Sequence, residues 1–113
     1  MFEESSSYLF QLEKVIKSRK SAADPSASYV ASLLCDQGSR AREKLLEEAE
    51  ELILAAQEES RTRVVSEAAD LIFHALVLLA AREVQWAEVV AELERRSGTS
   101  GWVEKEMRVE DES

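Results

Sequence analysis

Residues 62–82 form the most apolar segment of the chain. Drawn as a helix, the part of this segment that follows Asp70 is apolar around most of its circumference. Its apolar side chains recur at helical spacing, at Val65, Ala69, Ile72, Leu76 and Leu79. A helix of this kind needs partners on several sides, either other helices or a second copy of the chain. The segment therefore predicts the central, most buried helix of an all-α bundle.

Amphipathic patterns elsewhere predict four further helices. The 113 residues include only three glycines and one proline, which suits a helical chain. The pair Asp24 and Pro25 signals a helix start, and Gly38 a helix end. The predicted helices cover residues 3–20, 29–35, 39–59 and 86–96. We expect a bundle of about five helices, completed by dimerisation, over residues 1–105, followed by an acidic tail at 106–113.

The charge balance excludes some classes of partner. There are 14 basic and 23 acidic residues, so the net charge is −9 and nucleic acid is not an expected partner. The longest apolar run, residues 71–81, has about half the length of a membrane span. No signal peptide is evident, so we predict a cytoplasmic protein with no membrane partner. The single cysteine, Cys35, lies in an apolar run and is predicted to be buried.

Two acidic clusters are the strongest candidates for chemistry. The first comprises residues 47–51 of the third predicted helix, and the second residues 67–70 of the fourth. Within each cluster, carboxylates three residues apart share a helix face and repel each other: Glu48 with Glu51, and Glu67 with Asp70. If the two helices pack antiparallel, the four carboxylates meet in one small volume that suits Mg²⁺ or Mn²⁺. The alternative is that both clusters are solvated helix faces with Glu–Lys pairs.

A divalent cation between the protein and a polyanion would let a chain of this charge accept a di- or triphosphate. The cation would neutralise phosphate oxygens and lower the pKa of an attacking water. One of the carboxylates could then act as a general base. The acidic clusters therefore predict metal-assisted hydrolysis of a phosphoanhydride.

The pattern Glu47-Glu48-x-x-Glu51 followed by Glu67-x-x-Asp70 resembles the MazG-like, all-α nucleotide pyrophosphohydrolases. Further segments resemble, more specifically, the phosphoribosyl-ATP pyrophosphohydrolase family. They are residues 12–20, 28–30, 44–49, 54–56, 67–79 and 89–96. The similarity extends over about residues 8–105, and the stretch from Asp70 to Leu79 is its most specific part. One departure is Leu46, which stands where the family usually has glycine.

The resemblance implies hydrolysis of phosphoribosyl-ATP to phosphoribosyl-AMP and pyrophosphate, the second step of histidine biosynthesis. It also implies Mg²⁺ dependence, with Mn²⁺ as a possible substitute, and a homodimer with its sites near the subunit interface. The implied metal ligands are Glu48, Glu51, Glu67 and Asp70. Glu47 is implied as a further ligand or as a group that helps activate water, so the catalytic candidates are Glu47, Glu48 and Glu51.

Five further residues are candidates for substrate binding, and each has a structural alternative: Arg19, Lys20, Tyr29, Lys44 and His74. The two basic residues at 19 and 20 either bind phosphate or stabilise a helix C-terminus. Lys44 lies one turn before Glu48 on the same helix face, so it either forms a Lys–Glu pair within the helix or contacts phosphate. Tyr29 is either a core residue or a ligand contact. His74 lies on the carboxylate stripe, where it either forms a hydrogen bond across helices as a buried neutral side chain or contacts substrate.

Two other functions stay open on the sequence alone. The first is the same chemistry on another substrate, in a house-cleaning nucleoside triphosphate pyrophosphohydrolase. The second is a non-catalytic helical dimer module whose acidic face is merely solvated. Comparing the turnover of phosphoribosyl-ATP with that of deoxynucleoside triphosphates distinguishes the house-cleaning enzyme from a phosphoribosyl-ATP pyrophosphohydrolase. A test of Mg²⁺ binding distinguishes the non-catalytic module from either enzyme.

Overall fold

The computed structural model describes residues 2–22, 28–58 and 60–97. These residues form four α-helices and contain no strand, which confirms the all-α class. The helices are α1 (Phe2–Ala22), α2 (Tyr29–Gln57), α3 (Arg61–Ala81) and α4 (Trp86–Arg96). The predicted acidic tail at 106–113 lies outside the described residues.

The predicted count of five helices was wrong by one, because α2 joins the second and third predicted helices. The break expected near Gly38 is present as a kink inside α2. Cys35 is extended there (ψ 153°), and the next three residues have left-handed backbones, with φ of 54°, 59° and 81° at Asp36, Gln37 and Gly38. Cys35 is exposed at this kink, so its predicted burial was also wrong.

Serine side chains cap α2 and α3 at their N-termini. The Ser28 hydroxyl accepts a hydrogen bond from the Ala31 amide at 3.3 Å. The Ser60 hydroxyl does the same for Arg63 at 3.4 Å. These caps satisfy backbone donors that would otherwise lack partners. The predicted helix start at Asp24 and Pro25 lies outside the part of the chain that is described.

The short connection between α2 and α3 makes these helices an antiparallel hairpin, and they form the largest interface of the fold. The core also draws on α1, since Ile16, Leu33 and Val77 are the largest fully buried side chains. In α3, burial is confined to the half that follows the acidic cluster, at His74, Leu76, Val77 and Ala80. The predicted central, most buried helix thus has fewer buried residues than α2 among the described residues, and it buries them along only part of its length.

Helix α3 is the single helix in the described regions that is long and apolar enough to cross a membrane, by length and composition alone. Only 22% of its most apolar stretch is buried within the chain. The same helix carries Glu67 and Asp70, and carboxylates are costly inside a bilayer. Its apolar surface therefore indicates an unpartnered helix face in one protomer better than it indicates a membrane span.

The kink in α2 depends on Gly38, since left-handed backbone costs a residue with a Cβ about 1–2 kcal/mol. A Cβ on Gly38 would also lie 3.4 Å from the Ala81 Cβ. We predict that Gly38→Ala lowers the free energy of unfolding by about 1–2 kcal/mol, as measured by urea denaturation. Gln37→Gly, at the neighbouring left-handed position, should leave stability unchanged or raise it. An equal loss in both variants would contradict this account of the kink.

Candidate functional site

Three carboxylates converge where α2 packs against α3. One oxygen from each of Glu48, Glu67 and Asp70 lies within 4.8 Å of the other two. Glu48 comes from α2, and the other two lie one turn apart on α3. The antiparallel hairpin brings the two acidic clusters to the same level, as the sequence analysis supposed. This arrangement is the candidate functional site in the described part of the protein.

The cluster opens into a strongly polar surface cavity of about 370 Å³. The residues lining it are Lys44, Glu47, Glu48, Glu50, Glu51, Glu67 and Asp70. Leu46, the residue at the usual glycine position, is not among them and is 69% exposed. Its side chain therefore does not fill the cavity.

The electrostatics show that the cluster is crowded. The pKa of Glu48 is raised, first by partial burial, then by a hydrogen bond shared with Glu67 and by the charges of Asp70 and Glu67. The nearby His74 acts in the opposite direction, but less strongly. Three ionised carboxylates at this separation repel one another unless a proton or a cation lies among them. The donor set fits Mg²⁺ or Mn²⁺, which prefer carboxylate oxygen.

Glu51 lines the same cavity but is drawn away from the three-carboxylate cluster. Its Oε2 lies 3.4 Å from Nη2 of Arg63, and the same guanidinium contacts Glu58. Sequence reasoning missed Arg63, although its position one turn before Glu67 places it on the same face of α3. The structure thus holds Glu51 beside the cluster, with its charge paired to Arg63.

Glu47 is likewise paired. The Lys44 ammonium donates to Glu47 Oε2 at 3.0 Å. This hydrogen bond and the charge of Glu47 raise the pKa of Lys44, with smaller contributions from Tyr29 and Glu48. Among the described residues that line the cavity, Lys44 alone carries a positive charge. Lys44 therefore does form a Lys–Glu pair within the helix, but its partner is Glu47 and not Glu48, and both residues of the pair line the cavity.

His74 and Tyr29 form a hydrogen-bonded pair beside the cluster. His74 is 5% exposed, and its Nδ1 lies 2.8 Å from the backbone oxygen of Asp70. Its Nε2 lies 2.9 Å from the hydroxyl oxygen of Tyr29. The ring of Tyr29 stacks on that of Phe73, with centroids 6.3 Å apart. His74 is thus buried and bonded across helices, while Tyr29 is 47% exposed.

Arg19 and Lys20 lie elsewhere in the protomer. Lys20 Nζ donates to the backbone oxygen of Ala80 at 2.7 Å, at the far end of α3. Ala80 is ten residues from Asp70, which corresponds to about 15 Å of helix rise. Arg19 is exposed on the same turn of α1. The structure does not bring these two residues to the cavity of their own protomer, and their role in substrate binding stays a prediction.

Comparisons with known proteins agree with this geometry. The family model described as phosphoribosyl-ATP pyrophosphohydrolase matches residues 9–97. The chain is 52% identical to the phosphoribosyl-ATP pyrophosphatase of Rhizorhabdus wittichii over 100 residues, covering 88% of this chain and 93% of the relative. It is 50% identical to the proteins of that name from Cereibacter sphaeroides and Dinoroseobacter shibae, covering 88% and 90% of this chain and 95% and 99% of theirs. The chain therefore belongs to the phosphoribosyl-ATP pyrophosphohydrolase family, whose members are hydrolases of a phosphoanhydride.

Proposed function

We propose that this protein hydrolyses phosphoribosyl-ATP between its α and β phosphates, releasing phosphoribosyl-AMP and pyrophosphate. The observation that carries the proposal is the convergence of Glu48, Glu67 and Asp70 in a cavity lined by further carboxylates. Family membership supports the substrate, because the relatives are named for phosphoribosyl-ATP. The reaction belongs to histidine biosynthesis, which accords with the predicted cytoplasmic location.

The proposal assigns Mg²⁺, with Mn²⁺ as a substitute, to Glu48, Glu67 and Asp70. When bound, the cation neutralises phosphate oxygens and makes a water molecule more acidic. Glu51 is proposed as the fourth ligand, and it would exchange its pairing with Arg63 for this role. The convergence of the three carboxylates supports the assignment, because a cation relieves their repulsion, which together with partial burial raises the pKa of Glu48.

Two neighbouring side chains are proposed to act on the phosphates and on water. Lys44 contributes a positive charge to the cavity and would pair with a phosphate oxygen. Glu47 pairs with Lys44 at 3.0 Å, and its side chain is exposed and lines the cavity. We assign Glu47 to accept the proton of the attacking water, as a general base. Glu48 and Glu51 contribute to catalysis as cation ligands.

The protein is further proposed to be a homodimer, because each helix of the hairpin leaves a stripe of large apolar side chains exposed. On α2 the stripe holds Leu46 and Ile53, and on α3 it holds Val65 and Ile72, seven residues apart in each case. Their exposed fractions run from 42% to 69%. This spacing is typical of helices that pack along their length against partner helices. A second copy of the chain would cover these stripes.

We predict that Asp70→Asn or Glu51→Gln abolishes hydrolysis and leaves the fold intact. The reason is that each variant removes one negative charge from the cation site while preserving size. The expected decrease in kcat is at least about 100-fold, a loss typical of removing an electrostatic catalytic group. The measurement is pyrophosphate release from phosphoribosyl-ATP with and without Mg²⁺, with circular dichroism to verify folding.

Glu43→Gln is the matched control for these variants, since Glu43 is an exposed acid on α2 that does not line the cavity. It should retain wild-type turnover. Deoxynucleoside triphosphates are assayed in parallel, and faster turnover of these than of phosphoribosyl-ATP would overturn the assigned substrate. Near-wild-type activity in Asp70→Asn or Glu51→Gln would remove that residue from the mechanism.

We predict that Mg²⁺ stabilises the protein and that Glu48→Gln removes most of this effect. At ten times its dissociation constant, the ion should add about 1.4 kcal/mol, or about 5 °C in Tm. In EDTA at pH 7.5, Glu48→Gln should have a higher Tm than wild type. Because folding raises the pKa of Glu48, its favourable contribution is present below 4.5 and lost as the pH rises. The Tm difference should therefore shrink towards pH 4.5, and a constant difference would contradict the raised pKa of Glu48.

We predict that Ile72→Glu, alone or with Leu46→Glu, converts the dimer into monomers. A charge on an apolar helix interface is strongly unfavourable. Sedimentation or light scattering of the wild type should give twice the chain mass of 12.7 kDa, and the variant should give one chain mass. Leu93→Glu, at an exposed position on α4, is the control and should stay dimeric. A monomeric wild type would refute the dimer without touching the assignment of the carboxylates.

A further inference from the structure

The guanidinium of Arg63 contacts two carboxylates at once. Its Nη2 lies 3.4 Å from Oε2 of Glu51, and its Nη1 donates to Oε2 of Glu58. Glu51 lies within α2, and Glu58 is the residue that follows the last turn of that helix. A guanidinium presents its donors in a planar, fixed fork, so it can hold two different carboxylates through separate nitrogens. Of these two partners, only Glu51 lines the acidic cavity.

The position of Arg63 on α3 places it in competition with the carboxylate cluster for Glu51. Arg63 precedes Glu67 by four residues, so the two share a helix face and are separated by about 6 Å of helix rise. Glu51 lies in the same cavity as Glu67 and Asp70, and it is three residues after Glu48 on α2. Glu51 can therefore turn towards Arg63 or towards the cluster by rotation of its own side chain.

The pairing between Arg63 and Glu51 is weak enough to be exchanged. The side chains are 41% and 50% exposed, and 3.4 Å is long for a charge-assisted hydrogen bond. Exposed ion pairs contribute little because water and salt screen them. A divalent cation carries twice the charge and binds carboxylate oxygen directly, so it is the stronger partner. Cation binding would then be weakened only by what it costs to open the pair.

We propose that Arg63 is a positioning residue that competes with the bound cation for Glu51 and so sets the affinity of the cavity for divalent ions. While Arg63 holds Glu51, three carboxylates face the cation site, and when the pair opens there are four. Glu58 keeps hold of the guanidinium in both arrangements. This inference rests on the proposed cation site, and it adds a residue that lowers the affinity of that site without touching the cation or the substrate.

The alternative is that Arg63 serves only to compensate Glu58. A carboxylate at the C-terminal end of a helix is unfavourably placed in the helix dipole, and a neighbouring arginine would relieve this. In that case, the loss of Arg63 would lower the stability of the fold and leave the affinity for divalent ions unchanged.

The test is a double-mutant cycle on cation affinity, with Arg63→Gln, Glu51→Gln and the double variant. Binding is measured with Mn²⁺ alone, whose free fraction is read by electron paramagnetic resonance, and then with Mg²⁺ as a competitor at constant ionic strength. Arg63→Gln should bind both ions roughly 2- to 5-fold more tightly than the wild type, as expected for opening one exposed ion pair. In the Glu51→Gln background, the same substitution should change the affinity by less than about twofold.

Arg61→Gln is the matched control, because it removes the same charge from the same turn of α3. Arg61 is exposed, and within residues 2–22, 28–58 and 60–97 it forms no ion pair. Its loss should leave ion affinity within about twofold of the wild type, since an exposed charge acting at a distance is screened.

Thermal unfolding gives a second readout. In EDTA, Arg63→Gln should have a lower Tm than the wild type because it loses its ion pairs. A fixed concentration of Mg²⁺ should nevertheless raise the Tm of Arg63→Gln by more than it raises that of the wild type, because the ion binds more tightly. An arginine that only supports the fold would not produce these opposite changes.

Three results would overturn the inference. They are an unchanged ion affinity in Arg63→Gln, an equal gain in Arg61→Gln, and a gain that persists in full in the Glu51→Gln background. A wild type that binds neither ion would overturn it as well. Failure of the proposed function is a different result, because the wild type would then release no pyrophosphate from phosphoribosyl-ATP while the cycle on ion binding kept its outcome.

Discussion

The packing of α2 against α3 holds Glu48, Glu67 and Asp70 together against their mutual electrostatic repulsion. The hairpin is the largest interface of the fold, yet it brings three carboxylate oxygens within 4.8 Å of one another. Such crowding costs free energy in the absence of a cation. It adds to the effect of partial burial, which is the first cause of the raised pKa of Glu48. The cationic side chains nearby do not relieve it directly, because Lys44 pairs with Glu47 and Arg63 pairs with Glu51. Among the described residues, the centre of the cluster is therefore left with negative charge that neither of these two side chains pairs with directly.

The two halves of helix α3 have different roles, one in the acidic cluster and the other in the apolar core. Its first half presents Glu67 and Asp70 to the cavity, and its second half supplies the buried residues from His74 to Ala80. A destabilising polar cluster is tolerated because the apolar packing that offsets it lies on the same helix, one to three turns away. His74 stands at the boundary between the halves and joins them, since it is buried with the core and bonded to the backbone of Asp70.

Periodicity made most of this architecture predictable. The spacing of apolar residues placed α3 and α4 almost to the residue, and the two acidic pairs were seen to share helix faces because three-residue spacing is a local property. The missed features depend on contacts between distant residues or on small backbone choices. Residues 36–38 were expected to separate two helices, and they form a kink with left-handed backbone inside α2. Cys35 lies at this kink and is exposed. Glu51 pairs with Arg63, and hydrophobic periodicity does not predict which of several possible partners a side chain contacts. The hydrogen bond between Tyr29 and His74 joins positions 45 residues apart, and periodicity does not predict such distant contacts either.

The turn at residues 35–38, which has left-handed backbone at 36–38, separates two parts of α2 that carry different site residues. The part before the turn begins with Tyr29, and the part after it carries Lys44 and the acidic residues. The turn therefore sets the distance between Tyr29 and the side chains that line the cavity. Adding or deleting one residue at this turn would move Tyr29 relative to Lys44 and the glutamates of α2, while the contact between α2 and α3 that brings the carboxylates together lies beyond the turn.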